Sequence, residues 1–152
     1  MSPRSFAGVR ALDNLRAIVA GDHPGPPVAQ LLGMRLVEVD DGRAVFEVDA
    51  DSRFWNPMGT VHGGILCDLA DAALGVCWAA TLDEGETFTT VELKINFLRP
   101  VREGRLCAVG TVTKRGRHIG MTECEVTDEQ GRLVAKASAT QMTLRGELAE
   151  GR

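Results

Sequence analysis

Positive charge is in short supply: seventeen Lys and Arg against 21 Asp and Glu give a formal net charge of −4. A nucleic-acid-binding domain usually carries a basic excess, so nucleic acid is not expected as a partner. The first twenty residues hold no unbroken apolar run, because Arg10, Asp13 and Arg16 interrupt Phe6 to Ala20. That stretch reads as neither a signal-peptide core nor a membrane span, and a cytoplasmic protein with no membrane partner is expected. Cysteine pairing is absent too. Residues 67, 77, 107 and 124 form no C-x-x-C and lie in apolar or strand-like surroundings, which points to buried free thiols. His23, His62 and His118 lack metal-ligand spacing, and there is no phosphate loop, dinucleotide fingerprint or Gly-x-Ser-x-Gly elbow. No metal or other cofactor is expected. Internal repeats and low-complexity tracts are missing as well.

What is present suits one domain with a genuine core: 152 residues, 44% of them hydrophobic and 25% charged. Phe6, Val9, Leu12, Leu15, Ile18 and Val19 recur at three- or four-residue spacing, as on an amphipathic helix. A breaker cluster, Gly21 to Pro27, ends it. The helix is expected as a peripheral attachment, with His23 in a solvated loop. A short turn of helix around Val28 to Leu32 precedes two strands, Met34 to Asp40 and Ala44 to Ala50, which flank the hairpin signal Asp41-Gly42.

The second half reads as four long strands. Thr87 to Leu98 alternates, with Val91, Leu93, Ile95 and Phe97 on one face and Thr90, Glu92, Lys94 and Asn96 on the other. It stops at Arg99-Pro100, where proline cannot continue a ladder. Arg105 to Arg115, His118 to Asp128 and Leu133 to Leu144 follow, separated by short turns that make an antiparallel meander. The expected domain layout is an N-terminal helical extension and linker over 1–26, one folded domain over 27–145, and a disordered tail over 146–152.

Between the halves lies the stretch around which the chain is organised. Asn56-Pro57-Met58-Gly59-Thr60-Val61-His62-Gly63-Gly64 is turn-rich and runs into an apolar helical pattern reaching Thr81. A flexible backbone at a helix start presents free N–H groups to partial anions such as a polarised acyl oxygen. From Gly63 to Thr81 the only charged side chains are Asp68 and Asp71. A helix apolar on nearly every side is normally buried, and a carboxylate inside is costly unless paired or used. His62 and Asp71 are nine positions apart. At about 100° and 1.5 Å per residue they point to roughly opposite sides and sit about 13 Å apart along the axis. One copy of the helix cannot bring both to one small reacting group, so a site using both must combine two chains. A six-stranded sheet with one apolar face needs cover, and this helix is the cover available.

The run NPMGTVHGGILCDLADAALG, followed by TTVELKINFLRPV and a glycine-punctuated meander, resembles the hotdog-fold acyl-CoA thioesterases of the PaaI-like, phenylacetate-pathway group, over about Val28 to Leu144. The resemblance implies an α+β hotdog fold: a curled antiparallel sheet of about six strands around one long central helix. It implies Asp71 as the nucleophile or the general base that activates water, and the Gly63 backbone N–H as donor to the thioester oxygen. Asn56 and His62 match polar residues that hold the thioester region, and Thr90 matches a hydroxyl residue that orients the water. In similar enzymes the Asp and Thr come from one subunit and the Asn, His and Gly from the other. Their dimers pair again into tetramers, so a homo-oligomer acting on acyl-CoA is implied.

These residue types suit thioester hydrolysis, which needs a base or nucleophile and a donor where negative charge develops. Gly64 and Trp55 are further candidates for contact with the substrate. So are Arg115 and Arg117 within Lys114-Arg115-Gly116-Arg117-His118, whose cations suit the phosphates of coenzyme A, although a solvated hairpin tip explains the run equally well. Asp68, about 60° round the helix from Asp71, is the rival carboxylate. An acyl pocket would draw on Phe54, Trp55, Leu66, Leu74 or Trp78. A hotdog hydratase or dehydratase and a non-catalytic acyl-CoA-binding module are the competing readings.

Overall fold

The computed structural model describes residues 10–150, so Phe6 and Val9 of the first apolar pattern lie outside the described residues. Helix α1 (Ala11–Ala20) is closed by Gly21 in the left-handed conformation at φ 83°, whose N–H bonds back into the last turn. It is no mere attachment: Ala11, Leu12 and Leu15 are buried against Trp78, Ala79, Ala80 and Leu82. Helix α2 (Pro27–Leu32) begins on a proline at its first position and ends on Gly33.

Six strands form one antiparallel sheet: β1 (Arg35–Asp40), β2 (Arg43–Ala50), β3 (Thr87–Phe97), β4 (Gly104–Lys114), β5 (Ile119–Asp128) and β6 (Leu133–Leu144). Their order is β1-β2-β4-β5-β6-β3. The hairpin of β1 and β2 turns at Asp41-Gly42, with Gly42 at φ 72°. Strand β3 does not open the meander in space. The long helix α3 (Gly63–Ala79) carries the chain across the sheet, β3 pairs with β6, and β4 returns beside β2. Both edge strands, β1 and β3, therefore keep one unpaired side among the described residues.

Helix α3 packs across one face of the sheet, against β2, β3, β4, β5 and β6. Leu69, Leu74, Cys77 and Trp78 are fully buried, and a buried leucine of this kind contributes about 1.5–3 kcal/mol. Two glycines set how near the helix lies. A Cβ at Gly110 of β4 would collide with the carbonyl oxygen of Ala73 and stand 2.6 Å from its carbon, and one at Gly120 of β5 would enter the ring of Trp78. The helix is not covered all round: Gly64, Asp68 and Asp71 share an exposed stripe at i, i+4, i+7 spacing.

Strand β3 corrects one sequence expectation. Its register with β6 slips between Thr90 and Glu92, a β-bulge at Val91. An extra residue reverses the alternation, so Thr90 leaves the face of Glu92 and turns inward towards α3, while Val91 is 56% exposed. Leu93 and Ile95 remain packed on the core. Past β6 the chain makes a 3-10 turn, Gly146–Ala149, within the segment expected to be disordered. Among the described residues no helix is long and apolar enough to cross a membrane.

Candidate active site

The loop before α3 is held by its own polar groups. Asp51 accepts from the backbone N–H of Arg53 and starts a 3-10 turn, Ser52–Phe54. Asn56 then organises the next turn: its Oδ1 accepts from the N–H groups of Met58 (3.0 Å) and Thr60 (3.2 Å), and its Nδ2 donates to Thr60 Oγ1 at 2.9 Å. Asn56 thus shapes the loop. Val61 donates its N–H to Val101 and His62 donates to Phe54, which tie the loop to the β3–β4 connection and the preceding turn.

His62 caps α3. Its Nδ1 accepts from Gly64 N–H at 2.9 Å, and its carbonyl accepts from Ile65 N–H at 3.0 Å. Two of the first three N–H groups of the helix are thereby spent, Gly64 among them. The N–H of Gly63 is the one left without a protein acceptor among the described residues, at the positive end of the helix dipole. Phe97, at the end of β3, lies against the same residue. A Cβ at Gly63 would stand 2.9 Å from Cζ of that ring, so only glycine leaves the ring where it is.

Asp71 sits two turns further on, in the exposed stripe. Thr90 donates to its Oδ1 at 3.3 Å, a contact that exists because the bulge turned Thr90 inward. The surrounding protein pushes the Asp71 carboxyl above the usual carboxylate range; Thr90 pulls it down and the charge of Asp68 pushes it further up. Asp68 has no such partner on β3. Thr90 Oγ1 also lies 3.2 Å from Oε1 of Gln141. Gln141 went unnoticed in the sequence because a lone polar residue at the end of an alanine-rich strand carries no local signal.

The chain alone brings together two half-sites: Asp71 with Thr90, and the Asn56 loop with His62 and Gly63. No hydrogen bond joins one to the other. The basic run near the β4–β5 turn is divided. Arg115 stacks 4.7 Å over the ring of Trp78, donates to Thr81 Oγ1 at 2.6 Å and pairs with Glu86 at 3.4 Å. Its cation is engaged inside the fold, which disfavours it as a phosphate ligand; Arg117 is exposed. Of the pocket candidates, Leu74 and Trp78 are wholly buried, Phe54 and Leu66 nearly so, and Trp55 is 44% exposed with its indole N–H on the carbonyl of Arg102. All four cysteines are free thiols, and burial pushes Cys77 and Cys124 up to about 12. Among the described residues no three His, Cys, Asp or Glu side chains converge as a metal site.

Comparison with known proteins adds to this geometry. A family model described as the Thioesterase superfamily matches residues 58–135. A protein of Saccharolobus solfataricus named as a candidate esterase is 32% identical over 133 residues, 88% of this chain and 94% of its own length. The medium/long-chain acyl-CoA thioesterase YigI of Escherichia coli is 30% identical over 95 residues, 54% of this chain and 61% of that protein. A solved structure from Ralstonia eutropha, a phenylacetic acid degradation-related protein, superimposes with a TM-score of 0.77 at 34% identity, covering 84% of this chain and 98% of the other.

Proposed function

Because this chain belongs to the thioesterase superfamily, we propose that it hydrolyses acyl-CoA thioesters to a carboxylic acid and free CoA, with Asp71 of one subunit and Gly63 of another at each site. The observation that carries this reading is the pairing of Asp71 with Thr90 on the open stripe of α3, while the uncommitted N–H of Gly63 waits at the helix start. In this scheme Asp71 activates water or attacks the thioester carbon itself. The Gly63 N–H, backed by the helix dipole, stabilises the negative charge that grows on the carbonyl oxygen. His62 holds that donor in place by capping the helix, and Asn56 holds the loop.

Two features support a site shared between copies. The half-sites are separate in one chain, and β3, which borders both through Thr90 and Phe97, has an unpaired outer edge. Antiparallel self-pairing of β3 about a two-fold near Leu93 and Lys94 sets the Thr90 end of one strand against the Phe97 end of the other. Each Asp71 then faces a Gly63 it cannot reach within its own chain. An exposed strand edge is also one that proteins normally cover. The helical spacing argument, about 13 Å between His62 and Asp71, asks for the same thing.

The test is release of free CoA from a panel of aryl-CoA and aliphatic acyl-CoA thioesters by the native protein and by Asp71→Asn at matched folding and oligomeric state. Hydrolysis by the native protein with a loss of at least about 10²-fold in the variant is expected for a missing base or nucleophile, and the panel names the acyl class. Binding of the thioesters with no CoA release by either protein would overturn the hydrolase reading in favour of an acyl-CoA-binding module.

A further inference from the structure

Gln141 is wholly buried on the inner face of β6, after Ala135, Ala137 and Ala139. An amide in such company costs free energy unless its groups are bonded. It lies opposite Thr90 in the β3–β6 register, and its Nε2 meets Oγ1 of Thr122, also fully buried, at 3.4 Å. Four polar groups therefore run in line from the middle of the sheet to the helix: Thr122, Gln141, Thr90 and Asp71.

Counting protons along this line is informative, because a threonine hydroxyl has only one to give. When Asp71 is ionised, the Thr90 proton goes to the carboxylate, where the bond is charge-assisted and stronger. Thr90 then shows Gln141 only lone pairs. The amide satisfies every group by turning its NH2 towards Thr90 and its carbonyl towards the Thr122 hydroxyl, so that each member donates in the direction of Asp71. When Asp71 is protonated the whole line reverses: the carboxyl donates to Thr90, Thr90 to the amide carbonyl, and the amide NH2 to Thr122. The structure carries the amide with Oε1 towards Thr90 and Nε2 towards Thr122, and a half-turn of that one amide gives the other orientation. A primary amide offers a donor and an acceptor that exchange places in this way without changing its protonation state.

We propose that Gln141 is a positioning residue for the thioesterase reaction, matching the direction of the Thr90 hydroxyl to the protonation state of Asp71 by reversal of its buried amide. This rests on the hydrolase reading above. In a step where Asp71 acts as base, a water O–H bond breaks, a carboxyl O–H forms, the water oxygen bonds the thioester carbon and the carbonyl electron pair moves to its oxygen. Reversal of the line gives the new carboxyl O–H an acceptor, Thr90 Oγ1, at the moment it appears.

The test is a double-mutant cycle on CoA release, with kcat and KM measured for the native protein, Thr90→Val, Gln141→Met and the pair. Each single variant is expected to lower kcat about tenfold, the equivalent of one hydrogen bond, with KM within about twofold of native. The double variant is expected to be no slower than the worse single one, because both break the same line. Native kcat in Gln141→Met, or reductions that multiply in the double variant, would overturn the proposal. Should Gln141→Met fail to fold, Thr122→Val combined with Thr90→Val decides by the same criterion. A native protein that releases no CoA at all overturns the hydrolase reading and this one with it. An active native protein with an indifferent Gln141→Met overturns this one alone.

Discussion

Replacing Gly110 by alanine tests how the central helix is seated. The new Cβ would overlap the carbonyl oxygen of Ala73 and stand 2.6 Å from its carbon, against about 3.5–4.0 Å for an ordinary carbon contact. Either α3 backs away from β4 by about 1 Å or the strand bows. Backbone meets backbone on both sides, so no rotamer change relieves the clash. Overpacking costs about 1–3 kcal/mol, and this case belongs at the upper end, about 3 kcal/mol. For a chain of this length that lowers Tm by about 9 °C. Thermal melts followed by circular dichroism measure it, with Gly25→Ala as control: its Cβ would meet only Ala29, at an ordinary 3.7 Å, and should change stability by less than about 0.5 kcal/mol. Ala73 lies two residues from Asp71, so the displaced helix also stretches the 3.3 Å contact with Thr90. The kcat of Gly110→Ala should fall even at temperatures where it is folded. A Tm within about 2 °C of native would refute the close-seating argument, since it would mean that the overlap costs under about 1 kcal/mol.

Asp71→Asn should be more stable than the native protein at neutral pH while losing CoA release. The folded carboxyl is held above its ordinary range, so its ionised form opposes folding, and the stability difference should shrink as pH falls through that raised value and vanish below the ordinary carboxylate value; a gap in urea midpoint between the two proteins that is the same at neutral and acid pH would contradict this. Gly63→Ala keeps the N–H but sets a methyl 2.9 Å from the Phe97 ring. Because that ring is half exposed, it can yield and the melt should shift by less than about 0.5 kcal/mol, while kcat/KM falls about tenfold or more because the methyl crowds the approach of the thioester to the N–H. Arg115→Ala should cost about 1–2 kcal/mol by uncovering Trp78 and leave KM for acyl-CoA unchanged; a raised KM would return Arg115 to the substrate site.

Much of the fold was legible because its strands obey simple periodicities. The boundaries of β5 and β6, read as His118 to Asp128 and Leu133 to Leu144, stand within one residue of those observed. The six-stranded antiparallel sheet and its single covering helix follow from pattern alone. Three things did not follow. Strand order was hidden because β3 pairs with β6, which begins 36 residues after β3 ends, a non-local choice that no local pattern records. The bulge at Val91 was hidden because an alternating pattern looks the same whether or not one residue is extra. That single slip decides whether Thr90 meets Asp71 or faces away with Glu92. The third was the spending of donors: Gly63 and Gly64 are equivalent as letters, and only the His62 cap shows which N–H is left. Likewise Arg115 looked like a free cation until Trp78 and Glu86 were seen beneath it.

The two tryptophans sit in opposite surroundings, and the sequence has no tyrosine. Trp78 is sealed in the core beneath Arg115, whereas Trp55 stands 44% exposed in the loop leading to the helix start, its indole tied to the Arg102 carbonyl. Tryptophan emission from this protein therefore has two sources, with no tyrosine beneath it: a dry one that reports on the integrity of the core and a wet one beside the proposed thioester site. A soluble quencher will reach the second and spare the first. The chain thus carries its own pair of optical probes, so folding and substrate arrival can be followed in one cuvette without a label.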